Sequence, residues 1–278
     1  MRILIFGATG MLGQDLLPAF SRHEVTGLGS HDADITNASQ VLEVVQRTQP
    51  EWIVLSTAYT NVDGCQADPA KAFAVNRDGA IHVANAALRS GSRLLFVSTD
   101  YVFDGSKGTP YEIEDGRNPI NLYGRSKAEA ETRLLEILPG CCIVRTSWLF
   151  GKGGKCFPDT MLSLAKTKSV IRVVDDQRGC PTYTVDLAIA IAQLVEKNAR
   201  GIVHATNRGS CSWYEFARAT LAAASPGTVV EPTTTAEFPR PAQRPAYSVL
   251  SDASLRSHGI ELPTWQDALQ RYLTTRSS

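Results

Sequence analysis

The run "RILIFGATGMLG" at residues 2–13 constrains the fold more than any other stretch of the chain. A short apolar segment that stops at a glycine reads as a strand covered on both faces, and Met11, Leu12, Leu16, Leu17 and Phe20 then fall at helical spacing. Gly7, Gly10 and Gly13 stand in the connection, spaced GxxGxxG rather than GxGxxG. A turn that brings backbone close to a pyrophosphate needs residues without Cβ, and the start of the next helix offers free N–H groups to phosphates. A dinucleotide is the ligand this unit predicts, against the alternative of a purely structural glycine turn.

The rest of the first half repeats the alternation. "EVTGLG" reads as a second strand, "ASQVLEVVQRTQP" as a helix and "EWIVLST" as a third strand. A helix follows, with Asp68 as N-cap and Pro69 at its first position, closing near Gly91. "RLLFVSTDYVF" is a fourth strand, a helix begins around Tyr123, and "CCIVRTSWLFG" is a further strand. This rhythm predicts an α/β fold, a Rossmann-like doubly wound parallel sheet over residues 1–150. Beyond Gly151 the pattern loosens into a smaller C-terminal substrate-binding domain over 151–278, from which "TVDLAIAIAQLVEK" and "GIVHATN", within 181–206, return to the sheet.

Composition narrows the function classes. Formal net charge is zero and no basic run occurs, so a nucleic-acid surface is not expected. No segment is long and apolar enough for a bilayer, and "MRILIF" is too short for a signal-peptide core, which points to a cytoplasmic protein with no membrane partner. Six cysteines without CxxC spacing fit neither zinc nor a disulfide framework, and five scattered histidines give no ligand set, so no metal is assigned.

"NLYGRSK" at 121–127 carries the chemistry. Of the eight tyrosines only Tyr123 has a lysine at the fourth following position, which puts Tyr123 and Lys127 one helical turn apart on one face. A free phenol titrates near ~10 and needs a neighbouring cation to favour its phenolate, which Lys127 would supply. A surface helix with an incidental aromatic and charge is the alternative.

With "GATGMLG", "AYTNVD" (58–63), "STDYVFDG" (98–105), "YGRSK", "RTSWLFG" (145–151), "DDQRGCPT" (175–182) and "RPAYSVL" (244–250), the chain resembles the extended short-chain dehydrogenase/reductases. Within them it is similar to the dTDP-4-dehydrorhamnose reductases. The resemblance implies reduction of a dTDP-4-keto sugar by NAD(P)H, with Tyr123 as general acid, Lys127 on the nicotinamide ribose and Thr99 bridging tyrosine and sugar oxygen. It assigns the cofactor to Gly7, Gly10, Met11, Leu12, Gly13, Ser30, Asp34, Ile35, Ala58, Tyr59, Thr60 and Val97. It assigns the sugar to Asp100, Tyr101, Val102 and Trp148, with Val102 and Trp148 as an apolar wall, and Arg244 suits the diphosphate. Core roles for Trp148 and Tyr101, a turn cap at Asp100 and a solvated charge at Arg244 are the alternatives.

Three positions depart from the family. Gly29 stands where NAD-preferring relatives carry an acid, with Ser30 and His31 able to bond a 2′-phosphate, so NADPH is expected and NADH is the alternative; Asp32 could reverse that preference. Asp15, Val185 and Gln266 occupy the places of three metal-binding glutamates, so a monomer or a metal-independent homodimer is expected. Tyr247 replaces a usual asparagine. Rival functions are another sugar-nucleotide reductase or epimerase, and a non-catalytic regulatory subunit such as that of methionine adenosyltransferase.

Overall fold

A computed structural model describes residues 1–276 of the protein. Six strands form its main sheet: β1 (Arg2–Phe6), β2 (Glu24–Leu28), β3 (Trp52–Leu55), β4 (Arg93–Thr99), β5 (Cys142–Thr146) and β6 (Gly201–His204). All pair in parallel, in the order β6-β5-β4-β3-β1-β2. The chain leaves β2 at one edge and resumes at β3 on the other side of β1. Connections therefore diverge between β1 and β3, and a crevice opens at the carboxyl ends of these strands.

Alternation along each strand feeds two cores. Ile3, Ile5, Val54, Leu95 and Val144 face α1 (Met11–Ala19) and a later helix, Thr184–Glu196, through Leu12, Leu16, Leu187 and Ile191. Leu4, Phe6, Ile53, Leu55, Phe96 and Ile143 face the opposite layer: α2 (Ala38–Thr48), α3 (Gly79–Ser90) and α4 (Leu122–Ile137). Each such side chain, fully buried, contributes about 1.5–3 kcal/mol, which is why strands without polar alternation hold the centre.

Local chemistry sets the element ends. The Asn37 side-chain oxygen Oδ1 caps α2 by accepting from Ser39 and Gln40 N–H. Asp68 caps Pro69–Phe73, accepting from Lys71 N–H at 3.0 Å. The helix expected to run unbroken to Gly91 instead contains a π turn at Ala74–Asp78. That turn presents buried Asn76, which accepts from Tyr59 N–H at 2.7 Å and donates to Ser126 Oγ at 3.0 Å, tying α4 to the β3 loop.

The strand expected over "CCIVRTSWLFG" is two pieces. β5 ends at Thr146, Trp148 adopts φ 48°, and Leu149–Phe150 pairs with Thr182–Tyr183. A second lobe gathers helices Phe157–Ala165, Trp213–Ala224 and Trp265–Arg276 around Phe150, Tyr183, Phe216, Trp265 and Tyr272. A parallel ribbon, Val170–Val174 with Val229–Thr233, completes it. The chain does not divide cleanly at residue 150: Thr184–Glu196 and β6 lie on the main sheet, and Leu255, Ile260 and Leu262 also pack in its first core.

Candidate active site

The β1–α1 turn leaves no room for side chains. Gly7 has φ 93°, and a Cβ there would lie 2.8 Å from Ser56 Oγ and Thr57 N; one on Gly13 would lie 2.0 Å from Gly7 O. Neither clash can be relieved without moving backbone, so these glycines keep open a cradle at the start of α1, where first-turn N–H groups point outward. The cradle is one end of a cleft of about 570 Å³. It suits a dinucleotide phosphate by the shape a Cβ would destroy and by the donors it presents.

Gly7, Gly10, Met11, Leu12, Gly13 and Ser30 line this end, joined by Ala58, Thr60 and Val97. Asp34, Ile35 and Tyr59, expected at the cofactor, are not among the lining residues. Ile35 is buried in the second core, and the Asp34 carboxylate accepts from Thr36 N–H and Oγ1. At the end of β2 the Asp32 carboxylate turns back to accept from Gly29 N–H at 2.8 Å.

Thr99, Asp100, Tyr101, Tyr123, Lys127 and Trp148 line the other end. Thr99 ends β4, while Tyr123 enters α4 just after Asn121, whose side chain accepts from Gly124 N–H and fixes where the helix begins. Thr99 lies within hydrogen-bonding reach of the Tyr123 hydroxyl and favours its ionised form. Burial outweighs this, with the Asp100 carboxyl adding to it, and holds the Tyr123 phenol well above its ordinary range. Lys127 is not what was expected of it in one respect. Its Nζ donates to Val97 O at 2.7 Å, 3.8 Å from the Phe96 ring centre, and burial lowers its pKa to about 7 against the pull of Glu131. The tyrosine here is held protonated rather than eased toward phenolate, which suits a proton donor.

Behind Lys127 lies a buried ionic layer. Glu131, one turn further along α4, accepts from Arg145 Nη2 at 2.7 Å, Ser98 Oγ at 2.6 Å and Arg117 Nη1 at 3.2 Å. It locks α4 to the ends of β4 and β5.

Val102 does not form the expected apolar wall: it is fully buried with Phe103, Tyr111, Ala128 and Leu250. The 3-10 turn Asp100–Val102 points it into the protein while Tyr101 stays in the cleft, edge-on to Tyr123 at 5.9 Å. Arg244 also lies off the cleft lining, its guanidinium donating to Asp63 Oδ1, and that pairing with Arg240 beside it holds the Asp63 carboxyl far below its usual range. Trp148 is in the cleft, stacked on Trp213 with ring centres 3.5 Å apart and planes 6° from parallel. A Cβ at Gly179 would strike the Trp148 indole at 2.5 Å, which accounts for the glycine of "DDQRGCPT".

Trp213 and Lys155 line the cleft and carried no expectation. Their only trace in the sequence is an aromatic at a helix start and a lysine in a glycine-rich loop. Ser248, behind the cleft lining, also carried no expectation: its hydroxyl donates to Asp100 Oδ2 at 2.6 Å from 148 residues away.

A phenol held protonated beside a threonine and a buried lysine, at one end of a cleft whose other end is a glycine cradle, belongs to the nucleotide-dependent oxidoreductases of the Rossmann class. Comparison with known proteins narrows this. The chain belongs to the family described as "RmlD substrate binding domain", which matches residues 1–278. It is 40% identical to the spore coat polysaccharide biosynthesis protein SpsK of Bacillus subtilis, covering 100% of this chain and 98% of that one. It is also 40% identical to a dTDP-4-dehydrorhamnose reductase of Aggregatibacter actinomycetemcomitans, covering 97% of each. The crystal structure of a dTDP-4-dehydrorhamnose reductase of Bacillus anthracis in complex with NADP superposes with a TM-score of 0.95 at 39% identity, over 99% of both chains.

Proposed function

We propose that the protein reduces the C4 keto group of dTDP-4-dehydro-L-rhamnose to give dTDP-L-rhamnose, with NADPH as hydride donor and NADH as the alternative. The observation that carries this is the convergence of Thr99, Tyr123 and Lys127 on the same cleft as the glycine cradle. Relatives near 40% identity that bear the name dTDP-4-dehydrorhamnose reductase support it.

When bound, the nicotinamide supplies a hydride to the sugar C4. The residues of this chain do the rest. First-turn N–H groups of α1 would hold the pyrophosphate, and Lys127 would meet the ribose once its ammonium turns from Val97 O. Tyr123, kept protonated by burial, gives its proton to the C4 oxygen as negative charge develops there. Thr99 donates a second hydrogen bond to that oxygen. Tyr101, Trp148 and Trp213 form aromatic walls against the apolar edge of a deoxysugar. Ser30 at the cleft and Asp32 engaged on Gly29 N–H favour NADPH, since the strand end carries no free acid aimed at the ribose.

Asp34, Ile35 and Tyr59 remain assigned to the cofactor, and Arg244 to the sugar diphosphate once released from Asp63. A cytoplasmic monomer or metal-independent homodimer belongs to this reading, because Asp15, Val185 and Gln266 offer one carboxylate where a metal bridge between subunits would need several. The test is NADPH oxidation against a panel of dTDP- and UDP-4-keto-6-deoxy sugars with product identification. Turnover confined to a different sugar nucleotide would replace the substrate, and no turnover with any would favour a regulatory role.

A further inference from the structure

One buried carboxyl group in the cleft has no part in the steps above. Asp100 is 2% exposed, yet its two oxygens are held differently. Oδ1 lies 3.0 Å from Thr99 Oγ1, and Oδ2 accepts from Ser248 Oγ at 2.6 Å. Thr99 in turn reaches the Tyr123 hydroxyl. Thr99, hydrogen-bonded to Asp100 and next to the Tyr123 hydroxyl, therefore stands between a buried acid and the proton donor. Tyr101 beside it, Tyr123 from α4 and Cys180 from the segment 175–182 face Asp100, and its negative charge would raise the pKa of each. Arg244 bears on Tyr101 and pairs with Asp63.

We propose that Asp100 is a proton reservoir that refills Tyr123 through the Thr99 hydroxyl. The proposal rests on the reductase function. When the Tyr123 O–H bond breaks and an O–H bond forms on the sugar, the phenolate takes the Thr99 hydroxyl proton. The Thr99 oxygen takes the proton of Asp100 Oδ1 in the same movement, so Thr99 ends unchanged and the charge rests on Asp100. Ser248 Oγ, Thr99 Oγ1 and backbone N–H groups stabilise that carboxylate until it regains a proton from solvent. Burial raises the Asp100 pKa to about 7, so the acid is loaded in the neutral range, where a phenolate must be recharged.

The pH dependence of kcat tests this. In the native protein kcat falls as pH rises through about 7, because the reservoir empties. Asp100→Asn keeps shape and hydrogen bonds but cannot release a proton. It should lower kcat by roughly 10²-fold and abolish the fall, with NADPH affinity retained. Ser248→Ala removes a bond that favours the carboxylate, so the fall should move to higher pH. If Asp100→Asn raises only KM, or keeps the fall, Asp100 is a sugar ligand and the reservoir is wrong; a fall that stays in place in Ser248→Ala is equally fatal. Should the native protein turn over no 4-keto sugar at any pH, the reductase function fails separately. Infrared spectroscopy of the unliganded protein tests the loaded acid apart from turnover: a protonated carboxyl band at about pH 6 that Asp100→Asn lacks is expected, and its absence overturns the reservoir.

Discussion

Glu131→Gln removes the charge that anchors the helix carrying Tyr123 and Lys127 while keeping the size of the side chain. Glu131 is 0% exposed, and its partner Arg145 is 1% exposed, packed over Phe103 and beside His204. Arg117, with 27% of its side chain exposed, can turn to water; Arg145 cannot. Losing a neutral hydrogen bond costs about 0.5–1.5 kcal/mol, whereas stripping one partner from a buried ion pair costs about 3–5 kcal/mol, so the stranded guanidinium dominates. Urea unfolding should show a loss of about 3–5 kcal/mol, or a Tm lower by roughly 6–20 °C for a chain of this size. Replacing the pair together, Glu131→Leu with Arg145→Met, should recover most of it, because well-packed apolar pairs are often neutral or better. A single variant that loses less than about 1 kcal/mol, or a double variant no more stable than the single, would refute the idea that uncompensated charge sets the cost.

Tyr123→Phe should keep NADPH affinity and lose about 10² to 10⁴-fold in kcat, measured in single turnover; near-native turnover removes Tyr123 from proton transfer. Gly29→Asp should shift the ratio of specificity constants toward NADH by roughly 10-fold or more, less at high salt. Its Cβ must displace the Thr9 side chain, 2.8 Å away, so Thr9→Ser is the companion control, and an unmoved ratio means that Gly29 does not meet the ribose. Burial and the Arg145 charge lower the His204 pKa to about 3. A depressed folded-state pKa gives stability that is present above about 6.5 and lost as pH falls toward about 3, at up to about 1.4 kcal/mol per unit. Urea midpoints at pH 7 and 5 should therefore differ more in the native protein than in His204→Gln, and equal differences would exclude His204 as the cause.

What could be read without coordinates was local. An apolar run, a glycine turn and helical spacing specify one βαβ unit because backbone geometry is decided within a few residues. Tyr123 and Lys127 share a face because a turn of helix separates them. The motifs shared with the reductases then placed Thr99, Asp100, Tyr101 and Trp148 in one cleft, where they lie. The polar run "YGRSKAEAE" gave no sign that Ser126, Lys127 and Glu131 lie on the buried face of α4, because charge can enter a core when its partner comes from another strand.

The tertiary structure decided everything that depends on which surfaces meet. Val102 packs into the core while Asp100 and Tyr101 line the cleft, since a single 3-10 turn sends adjacent side chains in different directions. Trp213 joins the site only because its helix start lies against Trp148, whose left-handed backbone no periodicity announces. Asp63 claims Arg244, and Ser248 reaches Asp100, across gaps of 181 and 148 residues. Spacing along a chain encodes how each element folds; pairings over such distances follow from how the sheet stacks its layers, and it is there that a buried acid becomes a candidate source of protons.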